Sequence, residues 1–387
     1  MDLPTGECPD LAHSRSWNSP DVRILYFYSS HQFDTGSPKA LIGMIDALDR
    51  HRHTPLFLAS SESDGALLRE LEARDVEILR GNVTEASYRR PGRSLRAVLR
   101  SASLLRRARV DVLHVNEFGW NLDIVLAAPL AGVPVILHVH NPLDVDAQNL
   151  DRFAASKVVF VSEAHFRATG HRARIARKAA VLHNPVNIAE IESGRGIRPS
   201  LGLAPSDVVV ASVCQLTPNK AIDVLLAVAR EMIPRRPELR FVIAGRAGLG
   251  HEAYADEMIR AAEDPTLAGR VLFLGSRNDI PDILASSDIF FLPSRYETFG
   301  LVVAEAMAAS LPVVTTRVGG IPEIIRSDRE GIVLDVDDVP GFAAAIDSLA
   351  VSPSRRIALG RAGRQSLEGR FDRDTYARAL EALYSSL

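Results

Sequence analysis

The sequence predicts an α/β protein built of two doubly wound domains that face each other across a cleft. Three observations carry that reading. At 387 residues the chain is too long for one ordinary core and suits two domains of roughly 150–200 residues each. Its composition, 47% apolar and 24% charged, is that of a globular protein. Short apolar, β-branched runs alternate with longer helical patterns, and the series starts again halfway along.

Residues 1–20, MDLPTGECPDLAHSRSWNSP, are polar, lack the apolar stretch of a secretory signal and read as a flexible leader. The first domain is expected over 21–195. Its strand patterns are VRILYFY (22–28), TPLFLAS (54–60), VDVLHVN (110–116), PVILHVH (134–140), KVVFVSE (157–163) and AAVLHN (179–184). Being apolar at nearly every position, they suit parallel strands covered on both faces. Helical patterns at 38–51, 64–73, 94–108 and 121–131 separate them.

A Gly/Pro-rich stretch, SGRGIRPSLGLAPSD (193–207), interrupts the pattern, and the second domain is expected over 196–370. Its strands read DVVVASVCQ (207–215), LRFVIAG (239–245), RVLFLG (270–275), DIFFLP (288–293), PVVTTR (312–317) and GIVLD (331–335). Helical patterns fall at 220–233, 251–263, 281–286, 301–309, 321–326 and 340–350. The segment 371–387 places Tyr376, Leu380, Leu383 and Tyr384 at helical spacing, as a closing helix on its own domain or crossing back to the first.

Composition also excludes classes of function. Forty-five basic residues against forty-eight acidic ones give a net charge of −3, against a dedicated nucleic-acid binder. Two distant cysteines, Cys8 and Cys214, form neither a disulfide framework nor a metal spacing. No run of eighteen apolar residues occurs, so a cytoplasmic protein is expected.

Four strand-end loops carry the candidate site, because ligands of open parallel sheets gather at the carboxyl ends of the strands. Gly36 precedes a helix and lets backbone approach a phosphate, although no G-x-G-x-x-G fingerprint is present. In LHVHNP, His138 and His140 share a face; His140, nearer the strand end, is the one expected in the cleft. In QLTPNKAIDVLL, Gln215 ends a strand and Lys220 opens a helix, where its charge opposes the macrodipole unless an anion binds there. In PSRYETFGLVVAEAMAAS, Glu297 follows a strand, Thr298–Phe299–Gly300 turn the chain, and Leu301 starts an apolar helix carrying Glu305. Were 297–305 wholly helical, the carboxylates would stand about 12 Å apart along the axis and about 80° around it. Such a pair contacts two parts of one elongated ligand and does not act as a retaining glycosidase pair.

The Glu297-x7-Glu305 pair followed by GGIPE (319–323) resembles the donor-binding signature of retaining family-4 glycosyltransferases (glycosyl transferases group 1) with the GT-B fold. VILHVHNP, VFVSEAH (159–165), VLHNPVN (181–187) and FLGSRNDIPDILASSDIFFLPSRYETFG are similar to further elements of that family, over most of residues 22–387. The resemblance implies a GT-B enzyme that moves a sugar from a UDP- or GDP-sugar to a hydroxyl acceptor, with retention and without a metal or other cofactor. It implies that Glu305 binds the ribose, that Glu297 and the amides at 299–301 hold the donor sugar and diphosphate, and that Lys220 neutralises the β-phosphate. Arg277 would border the base, His140 the transferred sugar, and Gly36 the opposite wall. Two departures stand out: Cys214-Gln215-Leu216 replaces the usual Gly-Arg-Leu, and Thr-Gly replaces Gly-Gly at Gly36. They motivate the alternative of a non-catalytic nucleotide-sugar-binding relative; a GT-B epimerase or phosphorylase is the other.

The acceptor is left open as a small molecule, a glycan or a lipid-linked glycan. Between Arg89 and Arg109 stand eight arginines and no acid, and a second basic patch spans Arg167 to Lys178. Peripheral contact with an anionic membrane at its inner face is one expectation for such a stretch. Leu95, Val98, Leu99 and Ala102 are expected to face the domain core, which would make that contact purely electrostatic.

Overall fold

The computed structural model describes residues 22–28, 36–60, 63, 65–85, 89–116, 122–141, 155–169 and 173–387. The expected leader, Cys8 and part of the second basic patch lie outside the described residues.

Among the described residues, seven strands form the first sheet: β1 (Val22–Tyr28), β2 (His53–Ala59), β3 (Glu77–Arg80), β4 (Val112–Asn116), β5 (Val135–Val139), β6 (Lys157–Phe160) and β7 (Ala179–Val181). Their order is β3-β2-β1-β4-β5-β6-β7, with every pairing parallel. Six more form the second: β8 (Val208–Val213), β9 (Leu239–Ala244), β10 (Val271–Gly275), β11 (Ile289–Leu292), β12 (Val313–Thr316) and β13 (Ile332–Leu334). Their order, β10-β9-β8-β11-β12-β13, repeats the first pattern, again wholly parallel. In both sheets the winding reverses beside the first strand, between β1 and β4 and between β8 and β11. The two helices that flank such a point diverge and leave a crevice at the strand ends.

Each sheet is covered on both faces. Leu25, Phe27, Leu113 and Val115 point to one side of the first sheet, Ile24, Tyr26 and Val112 to the other. The second sheet divides likewise between Val210, Phe241 and Phe291 on one side and Val209, Val242 and Phe290 on the other. That is why the strands read as unbroken apolar runs.

The chain crosses between the lobes twice. Beyond β7 it leaves the first lobe, and Val186 and Ile191 already pack in the second core with Leu203, Ile283 and Val303. The return passes Phe371, whose carbonyl accepts from the Val186 amide at 2.9 Å, so the two crossings touch. The closing helix, Arg373–Ser385, begins with Asp372 accepting from the Thr375 amide. It crosses back: Tyr376, Leu380, Leu383 and Tyr384 are buried against Leu41, Met44 and Ile45 of the helix Gly36–Ala47. Beneath them the Tyr384 hydroxyl meets that of Tyr26 at 2.7 Å and His114 Nδ1 at 2.9 Å.

On the arginine-rich helix, Pro91–Arg107, Ala102 and Val98 meet the first lobe's core as expected, but the two leucines do not. Leu95 and Leu99 are 59% and 55% exposed, while Ala97, Ser101, Ala102 and Leu105 face inward. The small residues let this helix approach its neighbour Asp123–Ala131, where the buried Asp123 accepts from the Ser101 hydroxyl and the Thr84 amide. Among the described residues, no helix is long and apolar enough to cross a membrane.

Candidate functional site

Both sheets present their carboxyl ends to one cleft of about 490 Å³. Gly36, Lys39, His140 and Asn184 line it from the first lobe, and Gln215, Lys220 and Arg277 from the second. The run Glu297, Thr298, Phe299, Gly300, Leu301 and Glu305 completes the second lobe's wall. Every candidate position named from the sequence therefore borders a single space.

The loops after β8 and β11, which meet at the reversal of the second sheet, bring Lys220 and Glu297 together. Lys220 ends a single 3-10 turn, Pro218–Lys220, and Ala221 takes a left-handed conformation before the helix Ile222–Met232 begins. This corrects the expectation that Lys220 opens the helix with its charge unmatched. Its Nζ lies 2.6 Å from Glu297 Oε1, which also accepts from the Ser294 hydroxyl at 2.9 Å. Glu297 is 7% exposed, so the pair is well shielded, and its lysine is the more accessible partner.

Glu297 precedes the helix, which spans only Leu301–Ala308. Gly300 starts it at φ 97°, with no side-chain cap and no acid in the first turn. The Val303 amide donates to the Gly300 carbonyl at 2.9 Å, and the earlier first-turn residues Leu301 and Val302 line the cleft. About one turn in, Glu305 sits among Val303, Ala304, Ala306 and Met307, and its side chain is 12% exposed. Burial raises its pKa above the usual carboxylate range, against a smaller opposing pull from Lys39. Lys39 belongs to the other lobe, and its Nζ reaches Glu305 Oε1 across the cleft at 3.9 Å.

His140 is neutral for a related reason. It is buried, and burial with the neighbouring His165 lowers its pKa to about 3. Its Nε2 lies 2.8 Å from Asn116 Oδ1, while Asn116 Nδ2 donates to the Ser37 carbonyl at 3.1 Å. The second bond fixes the amide so that Oδ1 accepts, which places the imidazole proton on Nε2. His138 is fully buried, with its ring 4.3 Å from that of His140 and its Nδ1 3.3 Å from His114 Nε2.

Residues 36–190 match the family "Glycosyltransferase Family 4", and residues 195–366 match "Glycosyl transferases group 1". The second match covers most of the second lobe.

Among curated relatives, the chain is 32% identical over 192 residues to the lipopolysaccharide core biosynthesis mannosyltransferase LpsB of Rhizobium meliloti (strain 1021), covering 49% of this chain and 55% of that one. It is 37% identical over 166 residues to the D-inositol 3-phosphate glycosyltransferase of Rhodococcus opacus (strain B4), covering 42% of this chain and 37% of the relative. The matches thus span about half or less of these relatives' lengths. Among solved structures, Anabaena Alr3699/HepE in complex with UDP-glucose aligns with a TM-score of 0.78 at 23% identity, over 94% of this chain and 100% of that one. A glycosyltransferase from Rickettsia africae ESF-5 aligns at 0.80 and 18%, over 94% and 98%. These likenesses establish a GT-B fold.

Within the second lobe, the GGIPE segment has a steric reason. Gly319 takes φ 48°, and a Cβ there would run into the Glu297 carbonyl oxygen. The turn after β12 thus presses on the backbone that carries Glu297. Glu323 at its end reaches the other lobe. It accepts from the amides of Glu163 and Ala164 at 3.0 and 2.8 Å, the start of the helix Glu163–Thr169, and pairs with His183 Nε2 at 2.8 Å. The Ser162 hydroxyl donates to the Thr298 carbonyl beside it at 2.5 Å. A carboxylate of the second lobe therefore caps a helix of the first, and these bonds lower its pKa despite partial burial.

Lys39, Asn116, Asn184 and the bridging role of Glu323 were not singled out from the sequence. Asn116 carried a signal, as the one polar residue ending the strand beside the first sheet's reversal. Lys39 carried none, because a lysine in a helix's first turns reads as surface charge.

Proposed function

We propose that the protein is a retaining glycosyltransferase of hexosyl type, which moves a sugar from a nucleoside diphosphate to an acceptor hydroxyl. One observation carries this reading. Two shielded carboxylates, Glu297 and Glu305, flank an uncapped helix N-terminus on one wall of an interlobe cleft, each beside a lysine. A nucleotide sugar offers a partner to every one of these groups. Its diphosphate draws Lys220 from Glu297 and accepts from the amides near Leu301. Glu297 is then free to accept from sugar hydroxyls, and Glu305 from ribose hydroxyls. The backbone at Arg277 borders the base, and His140, a neutral donor or acceptor, faces the transferred sugar.

As the glycosidic bond breaks, negative charge builds on the leaving diphosphate, where Lys220 and the helix start are already placed. This electrostatic assistance requires no metal. Same-face attack, with the departing phosphate taking the acceptor proton, accounts for retention without a protein nucleophile. Gln215 contributes no charge to the diphosphate, which motivates the second reading of a binding protein without turnover.

Thermal shift and transfer assays with UDP-, GDP- and ADP-sugars, in EDTA, test the proposal. Stabilisation by one series, product from it, and loss of both in Glu305→Ala at unchanged fold are expected. Binding without product selects the second reading; no binding by any series rejects both.

The exposed Leu95 and Leu99 among the arginines of Pro91–Arg107 favour a membrane-facing surface with apolar contact as well as charge. We propose that this helix rests on anionic lipid. Sedimentation with phosphatidylglycerol vesicles at low salt should capture the protein, and Leu95→Ser/Leu99→Ser should reduce capture severalfold. Equal capture of both proteins, or none of either, rejects the surface.

A further inference from the structure

We infer that Asn184 is a further ligand-contact residue, whose side-chain amide takes a carbohydrate hydroxyl at the floor of the cleft. The inference rests on the nucleotide-sugar reading and adds a residue to it.

Asn184 follows β7 at the point where the chain first leaves the first lobe, and its two neighbours are held from opposite sides. The His183 ring packs on Phe299 at 5.7 Å between centroids, and its Nε2 pairs with Glu323, so the preceding residue is fastened to the second lobe. Pro185 lies against the first lobe's helix so closely that a Cβ on Gly43 would come within 2.9 Å of its ring. Proline also confines the residue before it to extended backbone. Asn184 is thus fixed where the lobes meet.

Its side chain is 6% exposed and lines the cleft, yet Oδ1 has no hydrogen-bond partner among the described residues. Nearly all buried polar side chains find a partner, because an unsatisfied one forfeits its water for nothing. Asn116, also in the first lobe, shows the ordinary case, with both ends of its amide engaged. A polar atom kept buried, unpaired and facing a ligand cleft is satisfied when the ligand brings a donor. A hydroxyl fits the amide oxygen, whereas a phosphate, which offers only acceptors, does not. The source is therefore the transferred sugar or the acceptor, both hydroxyl-rich, and not the diphosphate.

Asn184→Leu, nearly isosteric, and Asn184→Ala test this on the full chain. Three quantities are read: melting temperature without ligand, affinity for nucleoside diphosphate and for nucleotide sugar, and acceptor KM. Both variants should melt no lower than wild type and bind nucleoside diphosphate within twofold. A roughly tenfold loss of nucleotide-sugar affinity assigns the hydroxyl to the donor sugar; a tenfold rise in acceptor KM alone assigns it to the acceptor. Unchanged values for both ligands, or a fall in melting temperature shared by the two variants, overturns the inference. Failure of wild type to bind any nucleotide sugar would reject the underlying reading instead, and is read in the same titration.

Discussion

Replacing Lys220 by alanine is expected to lower the transfer rate by roughly 10²–10³-fold, with a smaller change in donor KM. The magnitude is that of removing one preorganised charge or donor from a developing anion. It falls mainly on kcat because charge on the leaving diphosphate grows as the bond to the sugar breaks. The same substitution acts on the resting protein. Glu297 loses its cation and keeps only the Ser294 hydroxyl, at 7% exposure. Stranding a fully buried carboxylate costs about 3–5 kcal/mol, but Lys220 keeps 22% of its side chain exposed and the cleft admits water, so about 1–2 kcal/mol is expected. Adding Glu297→Gln removes the stranded charge. The double variant should therefore recover melting temperature while remaining inactive. Turnover in Lys220→Ala within fivefold of wild type would show that the diphosphate is neutralised elsewhere.

Acid should unfold the first lobe well above the pH at which carboxylates usually titrate. Four histidines, His114, His138, His140 and His165, are between 0% and 5% exposed and share one region. Burial lowers the pKa of each: to about 3 for His114 and His140, to about 4 for His165, and well below the ordinary value for His138. The ordinary unfolded value is about 6.5. Folded pKa values below the unfolded one mean that the unfolded chain binds more protons, so stability is complete above about pH 6.5 and falls as pH drops. Each histidine held neutral in the fold loses stability over this range, and all four act in the same direction. Circular dichroism melts should be flat between pH 8 and 7 and drop steeply from 6.5 to 5. A melting temperature constant down to pH 5 would mean that these rings are protonated in the folded protein.

The doubly wound architecture was legible because strands covered on both faces leave short, β-branched apolar runs that alternate with helical patterns. The missed strand, Glu77–Arg80, is an edge strand with charged ends, so that signal is absent. The longest missed helix, Pro353–Ser366, carries Gly360 and Gly363, which weigh against a helix locally. Gly360 is used there because the chain passes against the Ser310 carbonyl, a tertiary fact with no local trace. Periodicity gave the faces of Pro91–Arg107 but not the choice between them. The buried face joins Leu105 to the small residues Ala97, Ser101 and Ala102, which permit close approach, and Leu95 and Leu99 remain outside. The cleft residues were readable because strand-end loops at a winding reversal can only converge. What local sequence concealed was partnership: that Lys220 meets Glu297, and that Lys39 and Glu323 reach between lobes.

The closing helix has a consequence for biogenesis. Its Tyr376, Leu380, Leu383 and Tyr384 occupy the hydrophobic interior beside β1, β2 and the helix Gly36–Ala47, elements that leave the ribosome more than 300 residues earlier. Translation proceeds at about 5–20 residues per second, so the early half waits tens of seconds with an apolar flank bare. Expressed without residues 373–385, it should be prone to self-association, and a chaperone would find its target on that flank during synthesis.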